Sequence, residues 1–405
     1  MGNGEPLAVL VPGTRGRYPD GEKALPRLRD AGRFTALRAR QAGRLVRDIF
    51  IRNRPADIAA YRGYGSRSRA YLHGRALAKP RYRTGRPEDS AWRNLLNTYR
   101  RARSNPIANA EVRVEFSGAS QILTADGEGF FSGWLDLPED QSPDHGWHDG
   151  SIELVSPVLA SASVSATARV LIPHSEAAFG VISDLDDTVI QSRVANFLQA
   201  ARTVMFGNAL TRLPFEGVAE FYHALNRGRD SGAENPLFYV SSSPWNLYDV
   251  IEDFLAVQGI PHGPLLLRDW DFSPRGLASH RHHAHKGEAI REIMSTYPSL
   301  PFILIGDSGQ QDPEIYHQIV HDFPERIIAV YIRDVVRTAE REQAISALAH
   351  EVEIAGSSLV LVHDTRAAAA HAAERHWIAD DEVEAVAHEA AADSGAAPGK
   401  KPVPL

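Results

Sequence analysis

Val181-Ile182-Ser183-Asp184-Leu185-Asp186-Asp187-Thr188 decides how this chain is read. An apolar strand runs into three aspartates and a threonine. Open α/β sheets place their ligands beyond the carboxyl ends of their strands. Asp184 and Asp186, two residues apart past such an end, can both point into one cleft while the chain bends between them. Their mutual repulsion is costly without a cation or a shared proton. Oxygen ligands without histidine or thiol suit Mg²⁺. An acidic turn or a calcium loop is the competing reading. A calcium loop continues with alternating oxygen ligands and a closing glutamate, whereas Val189-Ile190 follows here.

Three further segments repeat the pattern. Phe238-Tyr239-Val240-Ser241-Ser242-Ser243-Pro244-Trp245-Asn246 puts a hydroxyl, Ser241, at the end of an apolar strand, with backbone N–H groups beyond it that can hold a phosphoryl oxygen. Read alone, it is equally a helix start with Pro244 in the first turn. Phe302-Ile303-Leu304-Ile305-Gly306-Asp307 runs a fourth strand into an aspartate, with Asp312 five residues on. Asp307 is placed as a direct metal ligand, and Asp312 as a ligand or a water-holding outer group. Between these lies Lys286 at a predicted helix start. Only five of the 44 basic residues are lysines, and Lys286 is the only one between positions 80 and 399. A compact ammonium suits a site where a phosphate or carboxylate must be neutralised.

Two other leads are set aside. Gly306-Asp307-Ser308-Gly309 echoes the nucleophile segment of trypsin-like proteases, but it ends a strand in an α/β region of a chain without cysteine. Ser279-His280-Arg281-His282-His283-Ala284-His285 is rich in metal-binding side chains, yet its histidines follow no period of a regular element. The expectation is a wet loop beside the site rather than a zinc centre, with His283 or His285 left as phosphate contacts.

Around these motifs, 405 residues suggest more than one domain. An apolar content of 43% against 23% charged excludes a largely disordered chain. The absence of cysteine excludes disulfides, thiol catalysis and cysteine-held metals. Neither a signal-peptide pattern nor a stretch long and apolar enough to span a membrane is read, so the expected location is cytoplasmic, with peripheral membrane contact left open. The net charge of −7 is uneven: residues 1–110 hold 24 Lys/Arg against 8 Asp/Glu, and the remainder 20 against 43. The basic quarter could face phosphates, dock on the acidic remainder, or be a solvated face.

Residues 1–57 read as an Arg-rich helical arm. Residues 58–175 read as a β-sandwich-like domain of short strands with Asp-Gly turns at 126–127 and 149–150, plus a helix at 91–103. Residues 176–385 alternate strand and helix and predict an open α/β sheet with helices on both faces. Strands are expected at 179–183, 237–240, 265–267, 302–305, 327–331 and 359–362. Helices are expected at 194–206, 215–227, 246–258, 286–296, 312–320, 335–349 and 366–376. Residues 386–405 read as a disordered tail.

The four motifs, in this order, resemble the haloacid dehalogenase (HAD) superfamily of phosphohydrolases. More closely, they are similar to the catalytic domain of App1-type phosphatidate phosphatases, on Ser183 to Thr188, Tyr239 to Tyr248, His285-Lys286 and Gly306 to Tyr316. The resemblance spans about residues 177–340, with a weaker match upstream. It implies a HAD-like Rossmannoid domain with a mostly parallel sheet. It implies Asp184 as nucleophile, Asp186 as general acid/base, Thr188 as a loop-orienting residue, Ser241 as phosphate holder and Lys286 as charge neutraliser. It further implies Mg²⁺ held by Asp184, the carbonyl of Asp186, and Asp307 with Asp312 on the acidic metal side. The expected substrate is a phosphate monoester, with phosphatidate at a membrane surface as the lead. No sizeable cap is read between the motifs, which suits a bulky ester, and Phe206, Leu213, Pro214, Phe215 and Trp245 are either an apolar rim or core. Alternatives are an enzyme acting on nucleic-acid ends or small metabolites, and a non-catalytic phosphate- or membrane-binding module. No nucleic-acid module is recognised.

Overall fold

The computed structural model describes residues 56–78, 106–157, 163–185, 216–229, 234–268 and 282–393. The expected helical arm, apart from its last two residues, and the helices expected at 91–103 and 194–206 lie outside them. So do Asp186, Asp187, Thr188, Phe206, Leu213, Pro214 and Phe215.

The first part is built from strands β1 (Ala56–Ala60), β2 (Gly63–Gly65), β3 (Arg69–Ala78), β4 (Glu111–Phe116), β5 (Ala119–Thr124), β6 (Phe130–Asp136), β7 (Gly146–Ser156) and β8 (Ser165–Ile172). In β4, Val112, Val114 and Phe116 are buried while Glu111 and Glu115 face solvent, the period of two expected of a half-buried strand. These strands hydrogen-bond into a single sheet, in the order β1-β3-β2-β8-β7-β4-β5 with β6 on β3. The expected β-sandwich-like domain is thus seen, among the described residues, as one hydrogen-bonded sheet. The sheet curls until β6 lies against β5. Gly133 permits that approach, because a Cβ there would stand 2.6 Å from the side chain of Leu123.

The second part holds β9 (Gly180–Asp184), α1 (Val218–Arg227), β10 (Leu237–Pro244), α2 (Tyr248–Val257), β11 (Leu265–Arg268), α3 (His282–Thr296), β12 (Phe302–Asp307), α4 (Asp312–Asp322), β13 (Ile327–Arg333), α5 (Ala339–Ile354), β14 (Leu359–Val362), α6 (Thr365–Glu374) and α7 (Asp380–Asp393). This is an α/β fold. Its six strands are all parallel, in the order β11-β10-β9-β12-β13-β14. The strands are apolar on both faces, as a sheet covered on both sides requires. Val181, Tyr239 and Ile303 pack with α1, α2, α6 and α7 on one face. Ile182, Phe238 and Leu304 pack with α3, α4 and α5 on the other.

Three helix boundaries differ from the sequence reading. Helix α5 starts at Ala339, not 335, because the N–H groups of Val335 and Val336 donate to Ser308 Oγ at 2.9 and 3.0 Å and Thr338 caps the helix. The expected tail at 386–405 begins inside α7, where Val386 is fully buried and Glu389 accepts from the N–H of Glu220 at 2.7 Å. The expected wet loop at 280–285 is helical from His282, with residues 279–281 outside the described set.

The curled sheet is seated on the parallel one. Tyr61 joins one core cluster of the α/β part and Tyr64 the other. Tyr61 stacks on Tyr248 and Trp245 with centroids 3.9 and 5.7 Å apart, and His73 meets Trp245 edge-on at 4.9 Å. Arg69 donates to Thr296 Oγ1 at 3.3 Å, and Trp134 Nε1 to Glu292 at 3.2 Å, which ties the sheet to α3.

Candidate active site

Strand β9 is the first of the parallel sheet in sequence and lies third in space, between β10 and β12. From it the chain builds outward in both directions, the arrangement that leaves a crevice beyond the carboxyl ends of the central strands. Register then sets the residues. Val240 pairs with Asp184, so Ser241 lies one residue past it on one side. Ile305 pairs with Ser183, so Gly306 and Asp307 continue past it on the other. The amide of Leu185 donates to the carbonyl of Val240 at 3.0 Å, which holds the two strand ends together just where the side chains diverge.

The structure brings Asp184, Lys286, Asp307 and Asp312 together. Lys286 reaches in from the first turns of α3 with its side chain 3% exposed. Its ammonium lies 2.9 Å from Asp184 Oδ1 and forms a short ion pair with Asp312 Oδ1. The other oxygen of Asp312 accepts from the amide of Asp307 at 3.1 Å. Both Asp312 oxygens are therefore engaged in holding Lys286 and the β12 end, which fits the outer-group role better than direct ligation. Gly306 makes this possible, since a Cβ there would meet Asp312 Oδ2 at 2.4 Å. Asp307 Oδ1 accepts from the amides of Gly309 and Gln310 at 2.7 and 3.1 Å, folding the loop back over its own carboxylate.

Two buried carboxylate oxygens lack a hydrogen-bond partner among the described residues, Asp184 Oδ2 and Asp334 Oδ1, and that of Asp184 lies in this cluster. Carboxylate oxygens of Asp184, Asp307 and Asp312 lie within 4.8 Å of one another. Burial lifts the pKa of Asp184 well above the ordinary range; Asp312 and Asp307 push the same way, and Lys286 opposes them. Desolvation favours a neutral amine at Lys286, but Asp184 and Asp312 outweigh it and raise its pKa. Among the described residues the cluster sets three carboxylates against one ammonium, an excess of negative charge when all are ionised that a divalent cation would offset. An all-oxygen donor set with an orphaned buried oxygen fits a hard ion such as Mg²⁺.

Ser241 is fully buried, and its Oγ accepts from the amide of Ser243 at 3.1 Å. Of the other expected site residues, Asp186 and Thr188 fall outside the described set. Trp245, of the expected rim or core, packs on Tyr61 and so serves the core.

Several supporting residues escaped the sequence reading. Arg341 on α5 pairs bidentately with Glu314 and donates to the carbonyls of Ser308 and Gln310 at 2.9 and 2.7 Å, holding the loop after Asp307. Ser183 Oγ lies 2.7 Å from Tyr222 Oη, and Tyr316 donates to the carbonyl of Ile305 at 2.9 Å. Glu314 and Tyr316 stand in the quoted Gly306 to Tyr316 run. Arg341 gave no local signal.

Residues 179–334 match the family described as phosphatidate phosphatase APP1, catalytic domain. This segment is homologous to App1-type catalytic domains. Phosphatidate phosphatase APP1 of Saccharomyces cerevisiae is 29% identical over 154 residues, 38% of this chain and 25% of that protein. An uncharacterized protein of Schizosaccharomyces pombe is 27% identical over 157 residues, with the same coverage of 38% and 25%. The matched segment thus spans about a quarter of these relatives. The App1-type segment runs from β9 to the residue just after β13 and contains all four motifs. Among solved structures, a carbohydrate acetylesterase from Xanthomonas citri aligns over 71% of each chain at 11% identity and a TM-score of 0.23, which carries no argument about fold or function.

Proposed function

We propose that this chain is a Mg²⁺-dependent phosphomonoester hydrolase of HAD-like, Rossmannoid build that works through an aspartyl-phosphate. The observation that carries the reading is the orphaned, buried Oδ2 of Asp184, beside Lys286 and within reach of Asp307. A carboxylate held by one oxygen and unpartnered at the other is placed to act as a nucleophile.

In this reading Asp184 attacks phosphorus in line with the leaving oxygen, forming an acyl phosphate as the ester P–O bond breaks. Asp186 gives its proton to the departing alkoxide and then takes one from the water that cleaves the acyl phosphate. Lys286 and Ser241 bind phosphoryl oxygens as their charge redistributes, and Thr188 orients the first loop. Mg²⁺, with Asp184, the Asp186 carbonyl and Asp307 as its ligands, would screen the attacking carboxylate from the anionic ester. Asp312 keeps Lys286 and the β12 end in register.

Phosphatidate is the proposed substrate, supported by the name of the yeast relative and by the sequence expectation that no sizeable cap lies between the motifs. No described helix is long and apolar enough to cross a membrane, and the proposed encounter is with a headgroup at the cytoplasmic bilayer surface. The test is phosphate release by the full chain, with and without Mg²⁺, from phosphatidate vesicles, 5′-phosphorylated oligonucleotides and small phosphate esters. Mg²⁺-dependent release that favours the vesicles supports the reading. Preference for small esters or nucleic-acid ends overturns the substrate, and no release from any of them overturns the enzyme in favour of a binding module.

A further inference from the structure

A second group of metal-ligating side chains lies outside the carboxylate site. His317 and His321 stand four residues apart on α4 and so share one face of it, and Glu351 meets them from α5. His317 Nε2 is 2.7 Å from Glu351 Oε2 and 3.2 Å from His321 Nε2. His321 and Glu351 are exposed, His317 partly buried.

We propose that His317, His321 and Glu351 bind a divalent transition metal, zinc by its chemistry, which staples α4 to α5. A ring nitrogen directs a single hydrogen or lone pair in its plane, so His317 Nε2 cannot serve both a carboxylate and a second imidazole nitrogen at full strength. A cation among the three atoms accepts a lone pair from each. Two imidazole nitrogens on a tetrahedral zinc at about 2.0–2.1 Å stand roughly 3.3 Å apart, close to the 3.2 Å between His317 and His321, while Glu351 Oε2, 2.7 Å from His317 Nε2, draws back by about half an ångström to become a ligand. Two imidazoles and a carboxylate suit Zn²⁺, Ni²⁺ or Cu²⁺ and not Mg²⁺, which separates this site from the aspartates. A fourth position faces solvent and is left for water.

The role is holding, not hydrolysis. In a zinc-hydrolase helix the residue after the first histidine is the glutamate that acts as base, and here it is Gln318. What the site would hold matters. Helix α4 begins at Asp312, and α5 carries Arg341, which already grips Glu314 and the loop carbonyls of Ser308 and Gln310. The metal adds a second tie between the same two helices, one to two turns further along α4.

The test uses the full chain, stripped with EDTA and returned to saturating Mg²⁺ so that the carboxylates are occupied. Zn²⁺ is titrated calorimetrically and by its effect on the thermal midpoint, and Co²⁺ is titrated by visible absorption. Expected are a zinc equivalent that raises the midpoint and a Co²⁺ spectrum of low coordination number with nitrogen ligands. His321→Ala and Glu351→Gln should each weaken that equivalent by about 100-fold or more, while Asp307→Ala keeps it. Far-UV circular dichroism confirms that each variant is folded, and His321→Asn repeats the measurement should the alanine variant fail that check. Absence of zinc binding by the wild-type chain overturns the proposal. So does zinc binding that survives both α4 and α5 substitutions, or that disappears in Asp307→Ala.

Discussion

At the carboxyl ends of the parallel strands, Asp184, Lys286, Asp307 and Asp312 are closed off from water with an excess of negative charge. In the curled sheet, burial encloses aromatic rings and a histidine whose environment favours the neutral form, held near pKa 4 mainly by desolvation. The first kind of burial gathers like charges, which a cation would offset. The second supports the first: Tyr61 and His73 brace Trp245 and Tyr248 just after Ser241, while Arg69 and Trp134 hold the helix that carries Lys286. One chain thus uses desolvation to gather charge in one place and to fix shape in another.

The comparison breaks most readily at Asp184. Asp184→Asn should lower phosphate release about 10⁴-fold or more, equivalent to roughly 5 kcal/mol of barrier, measured as initial rates at saturating Mg²⁺. Asp186→Asn should form the covalent intermediate and hydrolyse it slowly, visible by trapping ³²P-labelled protein. Equal turnover by Asp184→Asn would remove the charge-storing role from this end of the sheet.

Next is Lys286→Met, which leaves Asp184 and Asp312 buried without their ammonium. A loss of about 3–5 kcal/mol is expected, read from urea unfolding in EDTA, with part of it restored by Mg²⁺. A variant as stable as wild type in EDTA would mean that the cluster is not charge-strained.

The curled sheet makes the third prediction. His73 has a folded pKa of about 4, below its unfolded value near 6.5, so the unfolded chain binds more protons between those limits. Stability from this residue is present above pH 6.5 and is lost as pH falls towards 4, by roughly 3 kcal/mol. Urea midpoints of wild type and His73→Gln across that window check it. The variant's curve should be flatter; parallel curves would mean that His73 titrates normally.

Arg341→Ala sharpens the comparison at its smallest scale. Removing the grip on Glu314 and the loop carbonyls should weaken Mg²⁺ about 10-fold or more while leaving the fold in place, measured by Mg²⁺ dependence of turnover.

Asp184, Lys286 and Asp307 were legible because position at a strand end, or at a helix start, is written in a few consecutive residues. The parallel sheet was legible for the same reason: apolar runs of strand length separated by helical stretches. What lay beyond local reach was set by contacts across the fold. Arg341 reaches Ser308 across a strand and a loop, and Ser308 in turn delays α5 by taking the amides of Val335 and Val336. The second half of α7 looked like a tail because its Ala/Asp/Glu composition has little apolar contrast, and its contacts with α1 and α6 define a buried face. In the curled sheet the strands were readable, but not the short parallel pairing of β2 with β8, which joins β1-β3-β2 to β8-β7-β4-β5 in one sheet.

The place of β9 between β10 and β12 has a consequence for how the protein is made. Ser183 meets Ile305 across more than a hundred residues of intervening chain, and Lys286 and Asp307 both arrive late in the sequence. During synthesis the first motif therefore waits beside an empty edge until β12 emerges and inserts. A nascent or truncated product ending before Phe302 holds Asp184 without Asp307 and Asp312. The cluster of Asp184, Lys286, Asp307 and Asp312 is complete only when β12 and the start of α4 have joined the sheet.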